Sequence, residues 1–263
     1  MTIVGKVESL WRYPVKSMAG ETVDEVFVGY AGVFGDRLYA FVNQRAPAAF
    51  PYLTGRTRPE MLRFSARFRD SARNVRPPNQ AEAESRGPGL TPVYPQPNEL
   101  VVDVGLPSGE TLVATDPALL ERLAGKGADA ADLSLIRSDR ALTDCRPVSL
   151  ISHHTIKQIG DEIGLALDRR RFRANIFAEL GSGKGFDEDA FVGKRLQIGA
   201  RCMIAVLDRD PRCKMISIDP DTAEENKDVF GHVSRAHDGM AGIYCAVLTE
   251  GMVRRDDAIA VVE

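Results

Sequence analysis

Thr22-Val-Asp-Glu-Val-Phe-Val-Gly-Tyr-Ala-Gly-Val-Phe-Gly-Asp-Arg-Leu-Tyr-Ala-Phe-Val-Asn43 holds two extended runs separated by glycines at positions 29, 32 and 35. The first run, 22–28, is rich in β-branched residues. The second, 37–43, sets Leu38, Ala40 and Val42 on one face. A period of two turns successive side chains to opposite faces, so both runs read as strands and the glycines as the turns between them. Short strands punctuated this way point to an antiparallel β-barrel or sandwich.

The same reading extends outward. Val4, Lys6, Val7 and Leu10 alternate weakly before this stretch, and residues 99–104, 194–198, 201–207, 243–249 and 258–262 read as further strands. Helices are few. Asp116-Pro117 supplies a cap with proline at the first helical position, Leu119, Leu120 and Leu123 give an apolar face, and Gly125 ends it. A second helix begins near Ser152, carries Ile156, Ile159 and Ile163 on one stripe, and stops at Gly164. A third is expected from Asp221, where Glu224 and Glu225 complement a helix N-terminus. Residues 70–98 are rich in proline, glycine and polar side chains and read as a long exposed loop. The expected fold is mostly β with a few helices, in two parts, 1–115 and 116–263.

The chain has 263 residues, with 34 basic against 37 acidic side chains and a net charge of −3. That balance predicts no nucleic-acid and no membrane surface, so any anion site must be local. No apolar run reaches the roughly 18 residues of a membrane span. The N-terminus reads as a strand and not as a signal peptide, which leaves a cytoplasmic location as the expectation. Of the four cysteines, none stands at C-x-x-C spacing, which argues against a disulfide framework, a zinc ribbon or an iron–sulfur module. Cys202 and Cys245 fall in strand-like runs and read as small buried hydrophobes.

Cys213 differs. It stands in Asp210-Pro-Arg-Cys-Lys-Met215, between Arg212 and Lys214, in a loop after a strand. Neighbouring cations favour the thiolate form of cysteine, which is a soft metal ligand. Tyr13-Pro-Val-Lys-Ser17 offers a lysine beside a hydroxyl on a backbone stiffened by proline, which suits an anion. In Arg169-Arg-Arg-Phe-Arg-Ala-Asn175, an extended backbone would set Arg171, Arg173 and Asn175 on one side, able to grip a phosphate or the edge of a heterocycle; a solvated basic face is the plainer reading. His153, His154, His232 and His237 show no metal-ligand spacing, and the acidic run 187–189 reads as solvated.

Taken together, Tyr13–Ser17, Gly35-Asp-Arg37, Thr54-Gly-Arg56 with Pro59, Phe172-Arg-Ala-Asn-Ile176, Arg212-Cys213 with Asp219-Pro-Asp221, and Asp257 resemble, in order, the MOSC-domain family. The likeness is to members that also carry the MOSC N-terminal β-barrel domain, such as the amidoxime-reducing component and its bacterial relatives. It implies a MOSC N-terminal β-barrel-like domain over 1–115 and a MOSC β-barrel domain over 116–263, with a molybdenum–pterin cofactor between them. It further implies Cys213 as the molybdenum ligand. Lys16, Ser17, Arg37, Arg173 and Asn175 would contact the pterin and its phosphate. Arg212 and Asp144 would sit near the metal, Thr54 and Arg56 along the site, and Asp257 near the pterin. Cys145-Arg146 stand where relatives carry small hydroxyl residues. The implied activity is reduction of N-oxygenated or N-hydroxylated small molecules. Electrons would come from a separate ferredoxin- or flavoprotein-type donor, because the chain shows neither an iron–sulfur domain nor an anchor. The alternative is a carrier of cofactor or sulfur that acts through Cys213 without turnover.

Overall fold

The computed structural model describes residues 1–86, 93–125 and 129–262; the centre of the proline-rich stretch, 87–92, lies outside them. In the first half the strands are β1 (Thr2–Arg12), β2 (Glu21–Val23), β3 (Glu25–Gly29), β4 (Gly32–Val33), β5 (Tyr39–Asn43), β6 (Ser65–Phe68), β7 (Val102–Gly105) and β8 (Thr111–Val113). The second half supplies β9 (Leu133–Arg137), β10 (Val148–Ser152), β11 (Ile176–Leu180), β12 (Arg195–Ile198), β13 (Cys202–Pro211), β14 (Met240–Thr249), β15 (Gly251–Arg254) and β16 (Ala258–Val262). The helices are α1 (Gln80–Arg86), α2 (Ala118–Leu123), α3 (His153–Ile163) and α4 (Lys227–Ala236). The fold is mostly β, as its alternating runs require.

Seven strands close into a barrel in the order β11-β10-β14-β13-β12-β16-β1, because β1 pairs with β11 as well as with β16. Closure leaves no free edge among the staves. β10 and β11 are parallel, with Leu150 opposite Ile176. A parallel pair needs a crossover, and α3 provides it. One stave, β1, comes from the far end of the chain. Past Lys6 it parts from β16, stays paired with β11 and takes β2 on its other side, Leu10 opposite Val23, and so hands the chain directly to Tyr13–Ser17. β15 returns the favour by pairing with β3, Gly251 opposite Val28. The core is continuous across both halves: Val7, Phe27, Phe41, Val104, Ile204 and Ile259 belong to one buried cluster.

A second, smaller cluster lies beneath α3 and α4 and includes Ile156, Ile159, Phe172, Ile216, Val229 and Val233. α3 begins and ends as read: Ser152 Oγ accepts the His154 N–H at 3.2 Å, and Gly164 adopts a left-handed φ of 69° that stops the helix. Asp116 caps α2 by accepting the Ala118 N–H at 2.9 Å.

Three expectations change. The helix expected at Asp221 starts at Lys227, capped by Asn226. The reason is local: Asp219 Oδ1 accepts the N–H groups of Asp221 and Thr222, and Ala223 takes a φ of 62°, so 219–225 fold as a turn. The strand over 37–43 is not one-sided, since Tyr39 and Phe41 are buried as fully as Leu38 and Ala40. The described ends of the proline-rich stretch are packed: Val75 is buried, and Tyr94 stacks on Phe34 at 4.5 Å while its hydroxyl accepts the Gly35 N–H at 2.9 Å.

Candidate functional site

Where β1 leaves the barrel, Tyr13 and Asp36 lock two loops together. The Asp36 carboxylate accepts the Tyr13 N–H at 2.8 Å and Arg37 Nη1 at 2.6 Å, and the Arg37 N–H returns to the Tyr13 carbonyl at 2.7 Å. The sharp turn into Asp36 needs Gly35, at φ 80°, because a Cβ there would lie 2.5 Å from the Phe68 ring. Lys16 and Ser17 follow, buried, with the Lys16 N–H donating to the Tyr39 carbonyl at 2.8 Å. The Thr54–Gly55–Arg56 turn closes this side; a Cβ at Gly55 would meet Met215 Cε at 2.9 Å, which brings the turn against the segment that follows Cys213.

The barrel supplies the other wall. β13 runs four residues further than its apolar pattern and delivers Asp210, Pro211, Arg212 and Cys213. The Arg212 N–H donates to the Gly239 carbonyl at 2.7 Å, and its guanidinium donates to Ala241 at 2.7 Å and Phe172 at 2.8 Å. Arg212 Nη2 also lies 2.8 Å from Asp210 Oδ2, an ion pair at an angle too oblique for a hydrogen bond. Half-buried Cys213 precedes the short 3-10 turn Lys214–Ser217. The arginine-rich segment is not extended. Arg169–Arg171 form a 3-10 turn capped by Asp168, and Arg173 adopts a φ of 53°. That bend, not a strand, is what turns Arg171, Arg173 and Asn175 into one cavity.

The cavity has a volume of about 290 Å³ and draws its walls from both halves. Seven basic side chains line it: Lys16, Arg37, Arg56, Arg146, Arg171, Arg173 and Arg212. Against them stand two carboxylates, Asp144 and Asp210. In a chain of net charge −3 this is a concentrated positive field. Arg37 and Arg173 both lie over the Tyr13 ring, at 4.5 and 4.3 Å. Burial and then the Arg37 charge pull the Arg173 pKa down to about 10. Lys16 donates to the Leu142 carbonyl at 2.7 Å and pairs with Asp144. Burial lowers the Lys16 pKa more than Asp144 restores it. Burial opposes ionisation of Asp144, but Lys16 outweighs it and holds that carboxyl below its ordinary range. Asp210 goes the other way: burial drives it up to about 6 against the pull of Arg212.

Three of the residues expected from sequence stand in strained backbone. Ser17, Arg37 and Arg173 have φ of 66°, 45° and 53°. Non-glycine residues avoid this region, and such strain gathers at functional sites. Lys16, Ser17, Arg37, Thr54, Arg56, Asp144, Arg173, Asn175, Arg212 and Cys213 all line the one cavity. Asp257 does not. Its carboxylate accepts the Arg254 N–H at 2.7 Å and abuts Gly199, so it is a turn residue ahead of β16, on account of the hairpin it closes. Asn175 lines the cavity but its amide is committed, accepting from Ser149 N–H at 3.2 Å and donating to the Trp11 carbonyl at 3.4 Å. Sequence reading gave no role to Asp210 or Tyr244, and reached Arg171 only through an extended geometry that the segment does not adopt. Asp210 stood three positions before Cys213, and the length of β13 is what turns it inward.

These features define a β-barrel protein with a cationic, thiol-bearing cavity set where the barrel meets a smaller β unit. Residues 137–260 match the model of the MOSC domain, and residues 4–99 that of the MOSC N-terminal beta barrel domain. The chain belongs to the MOSC-domain family, whose domains are associated with binding of the molybdenum cofactor. Among solved structures, the YUAD protein of Bacillus subtilis is similar in fold at 13% identity and a TM-score of 0.50, covering 98% of this chain and 96% of that one. YiiM of Geobacillus stearothermophilus is 17% identical with a TM-score of 0.36, covering 45% of this chain and 55% of its own. No curated protein matches the sequence. Among the described residues no helix is long and apolar enough to cross a membrane.

Proposed function

We propose that the cavity holds a molybdenum–pterin cofactor through Cys213 and that the protein reduces N-oxygenated or N-hydroxylated small molecules. The supporting observation is the cationic cavity itself, with donors left over. Arg173 Nη2 and Arg171 Nε are buried without a hydrogen-bond partner, and Arg56 makes no hydrogen bond or ion pair among the described residues. Buried donors are almost always satisfied, so these await an acceptor from outside the chain. A phosphate-bearing ligand fits, and the half-buried Cys213 thiol fits a metal that takes sulfur.

On this reading Arg37, Arg173 and Ser17 hold the phosphate end. Lys16 takes part as a charge already shared with Asp144. The cofactor, when bound, supplies two-electron redox chemistry at the metal. The protein's residues bind, orient and manage protons. Reduction of an N-hydroxy group to the amine and water consumes two electrons and two protons. Asp144 stays ionised and steadies Lys16, whereas Asp210 is able to hold a proton at its carboxyl near neutral pH. Electrons come from a separate ferredoxin- or flavoprotein-type partner.

Protein produced in a cofactor-making host should contain close to one molybdenum per chain and reduce an N-hydroxylated amidine with an artificial electron donor. Cys213→Ser should lose both metal and activity. Full metal and activity in that variant would falsify the ligand assignment. Retained metal with transfer of cofactor or sulfur, but no turnover, would replace the reductase by a carrier.

A further inference from the structure

Glu162, near the end of α3, and His232 and His237, on α4 and just past it, take no part in the cavity. Their ligand atoms lie within 4.8 Å of one another, a gathering that no sequence spacing announced. Both imidazole Nε2 atoms address one carboxylate oxygen, Glu162 Oε2, at 2.7 Å from His232 and 2.6 Å from His237. The other oxygen, Oε1, is held by Gln158 Nε2 at 2.8 Å, which aims Oε2 at the two rings. The His237 ring is fixed in turn, stacked on Phe186 at 4.1 Å and 19°. Phe186 itself stands at a φ of 64°, a conformation kept only where surroundings enforce it. The side chains are 29%, 23% and 14% exposed for Glu162, His232 and His237, so the point where they converge is reachable from solvent yet ordered.

One carboxylate oxygen and two imidazole nitrogens form a donor set for a borderline divalent ion, and a tetrahedral ion would keep its fourth position open. A carboxylate oriented by a further hydrogen bond and a ring fixed by packing are the outer contacts that such ligands require. We propose that Glu162, His232 and His237 bind one divalent transition-metal ion of the Zn²⁺ class, pinning α3 to α4. Metal bonds of about 2.0–2.1 Å put tetrahedral donors about 3.3 Å apart, so the two His–Glu separations of 2.7 and 2.6 Å need open by only about 0.6–0.7 Å.

The pin has a structural consequence. α4 packs on the 3-10 turn Lys214–Ser217 that follows Cys213: the Phe230 N–H donates to Ser217 Oγ at 3.1 Å, and Val229 and Ile216 share one apolar cluster. An ion at Glu162 therefore steadies the helix beneath the cavity wall. The site is independent of what the cavity itself holds.

Zn²⁺ titration by calorimetry tests this, on the full chain and on its Cys145→Ser/Cys213→Ser variant, in which the cavity thiols are silent. The expected result is one equivalent bound in both. Co²⁺ in the same protein should show d–d absorption without a thiolate charge-transfer band. Zn²⁺ at about 100 times its Kd should raise Tm by roughly 5 °C. His232→Ala and Glu162→Gln should each abolish the equivalent, and Gln158→Ala should weaken it about 10-fold. Circular dichroism establishes that the variants are folded. The wild-type chain decides the matter even where a variant is not: no stoichiometric binding overturns the proposal and leaves a hydrogen-bonded clamp. Binding that persists unchanged in folded His232→Ala and Glu162→Gln overturns it as well.

Discussion

Two buried guanidinium groups, remote from each other in the sequence, are provided for in opposite ways. Arg12, at the end of β1, is fully buried and lies 4.4 Å over the Phe68 ring. Its Nε donates to Glu21 at 2.7 Å, Nη1 to the Asn74 carbonyl and, at 3.5 Å, to that of Phe34, and Nη2 to the Ser71 carbonyl at 3.2 Å. Arg173 lies 4.3 Å over the Tyr13 ring, donates from Nη1 to the Met18 carbonyl at 2.7 Å, and keeps Nη2 buried without a partner. Burial lowers the pKa of both; Glu21 then raises that of Arg12, while Arg37 lowers that of Arg173 further. A buried cation must be balanced by something. Arg12 is balanced from within the chain and knits the first half together. Asp36 and Asp144 favour the Arg173 charge without outweighing burial and Arg37, and on the proposed reading an incoming anion completes the balance. On that reading saturation separates a cation that serves the fold from one that serves a ligand, and burial alone does not.

The comparison is broken most decisively at Arg12. Arg12→Met takes the guanidinium from the Glu21 carboxylate, which keeps the Phe68 N–H at 3.4 Å, and from the carbonyls of Asn74 and Ser71. Removing one partner of such a buried network costs about 3–5 kcal/mol. Urea unfolding should show a loss of that size, unaffected by phosphate. A loss under about 1 kcal/mol would mean that water replaces the guanidinium, and that Arg12 is not the closed case taken here.

The difference between these arginines could not be read from the sequence. Arg12 drew no notice, because its partners come from residues 21, 34, 71 and 74, joined only once β1, β2 and β6 are in place. Arg173 was noticed for the wrong geometry: an extended segment was expected, whereas a capped 3-10 turn and a left-handed φ bring it to the cavity. Local chemistry was legible. Extended runs marked β5, β12, β13, β14 and β16, and Ser152 and Gly164 marked the ends of α3. What was not legible depended on long-range pairing. β1 as the seventh stave, the parallel pair β10 and β11, and the His232–Glu162–His237 group all join residues remote in sequence. The turn over 219–225 was missed because the Asp219 side chain competes with the backbone for helical N–H groups, and acidic residues there look like a helix start.

Asp210 and Arg212 sharpen the comparison from an intermediate position, a pair that is close but poorly aligned. Were the pair well made, the carboxyl would be held low; burial instead drives it up to about 6. The folded state thus holds this proton more tightly than the unfolded chain, whose Asp pKa is about 3.9. The group's contribution to stability is therefore fully present below about pH 4 and is lost as pH rises through about 6. Asp210→Asn is neutral throughout and lacks that dependence. The stability of cofactor-free wild type minus that of the variant should fall by roughly 2 kcal/mol between pH 4 and 7. Urea midpoints at unit pH steps measure it. A flat difference would show Arg212 pairing with Asp210 as completely as Arg12 pairs with Glu21.

Arg173→Met should have the smallest effect on stability, and that smallness is the point. The substitution loses one hydrogen bond to Met18, worth about 1 kcal/mol, and the stacking on Tyr13. It also removes a charge that burial and Arg37 both disfavour. These oppose each other, so the cofactor-free variant should unfold within about 1 kcal/mol of wild type. Its response to anions should change instead. Phosphate or pyrophosphate should raise the wild-type Tm, because an anion satisfies Nη2 and relieves the Arg37–Arg173 repulsion. In the variant that rise should shrink by more than half, and cofactor should be lost on gel filtration. If Arg173→Met unfolds as readily as Arg12→Met, with the anion response intact, then Arg173 is a structural arginine with a poorly placed nitrogen. The cavity would then owe its charge to packing, and the ligand it holds would have to be anchored elsewhere, at Arg56 or Lys16.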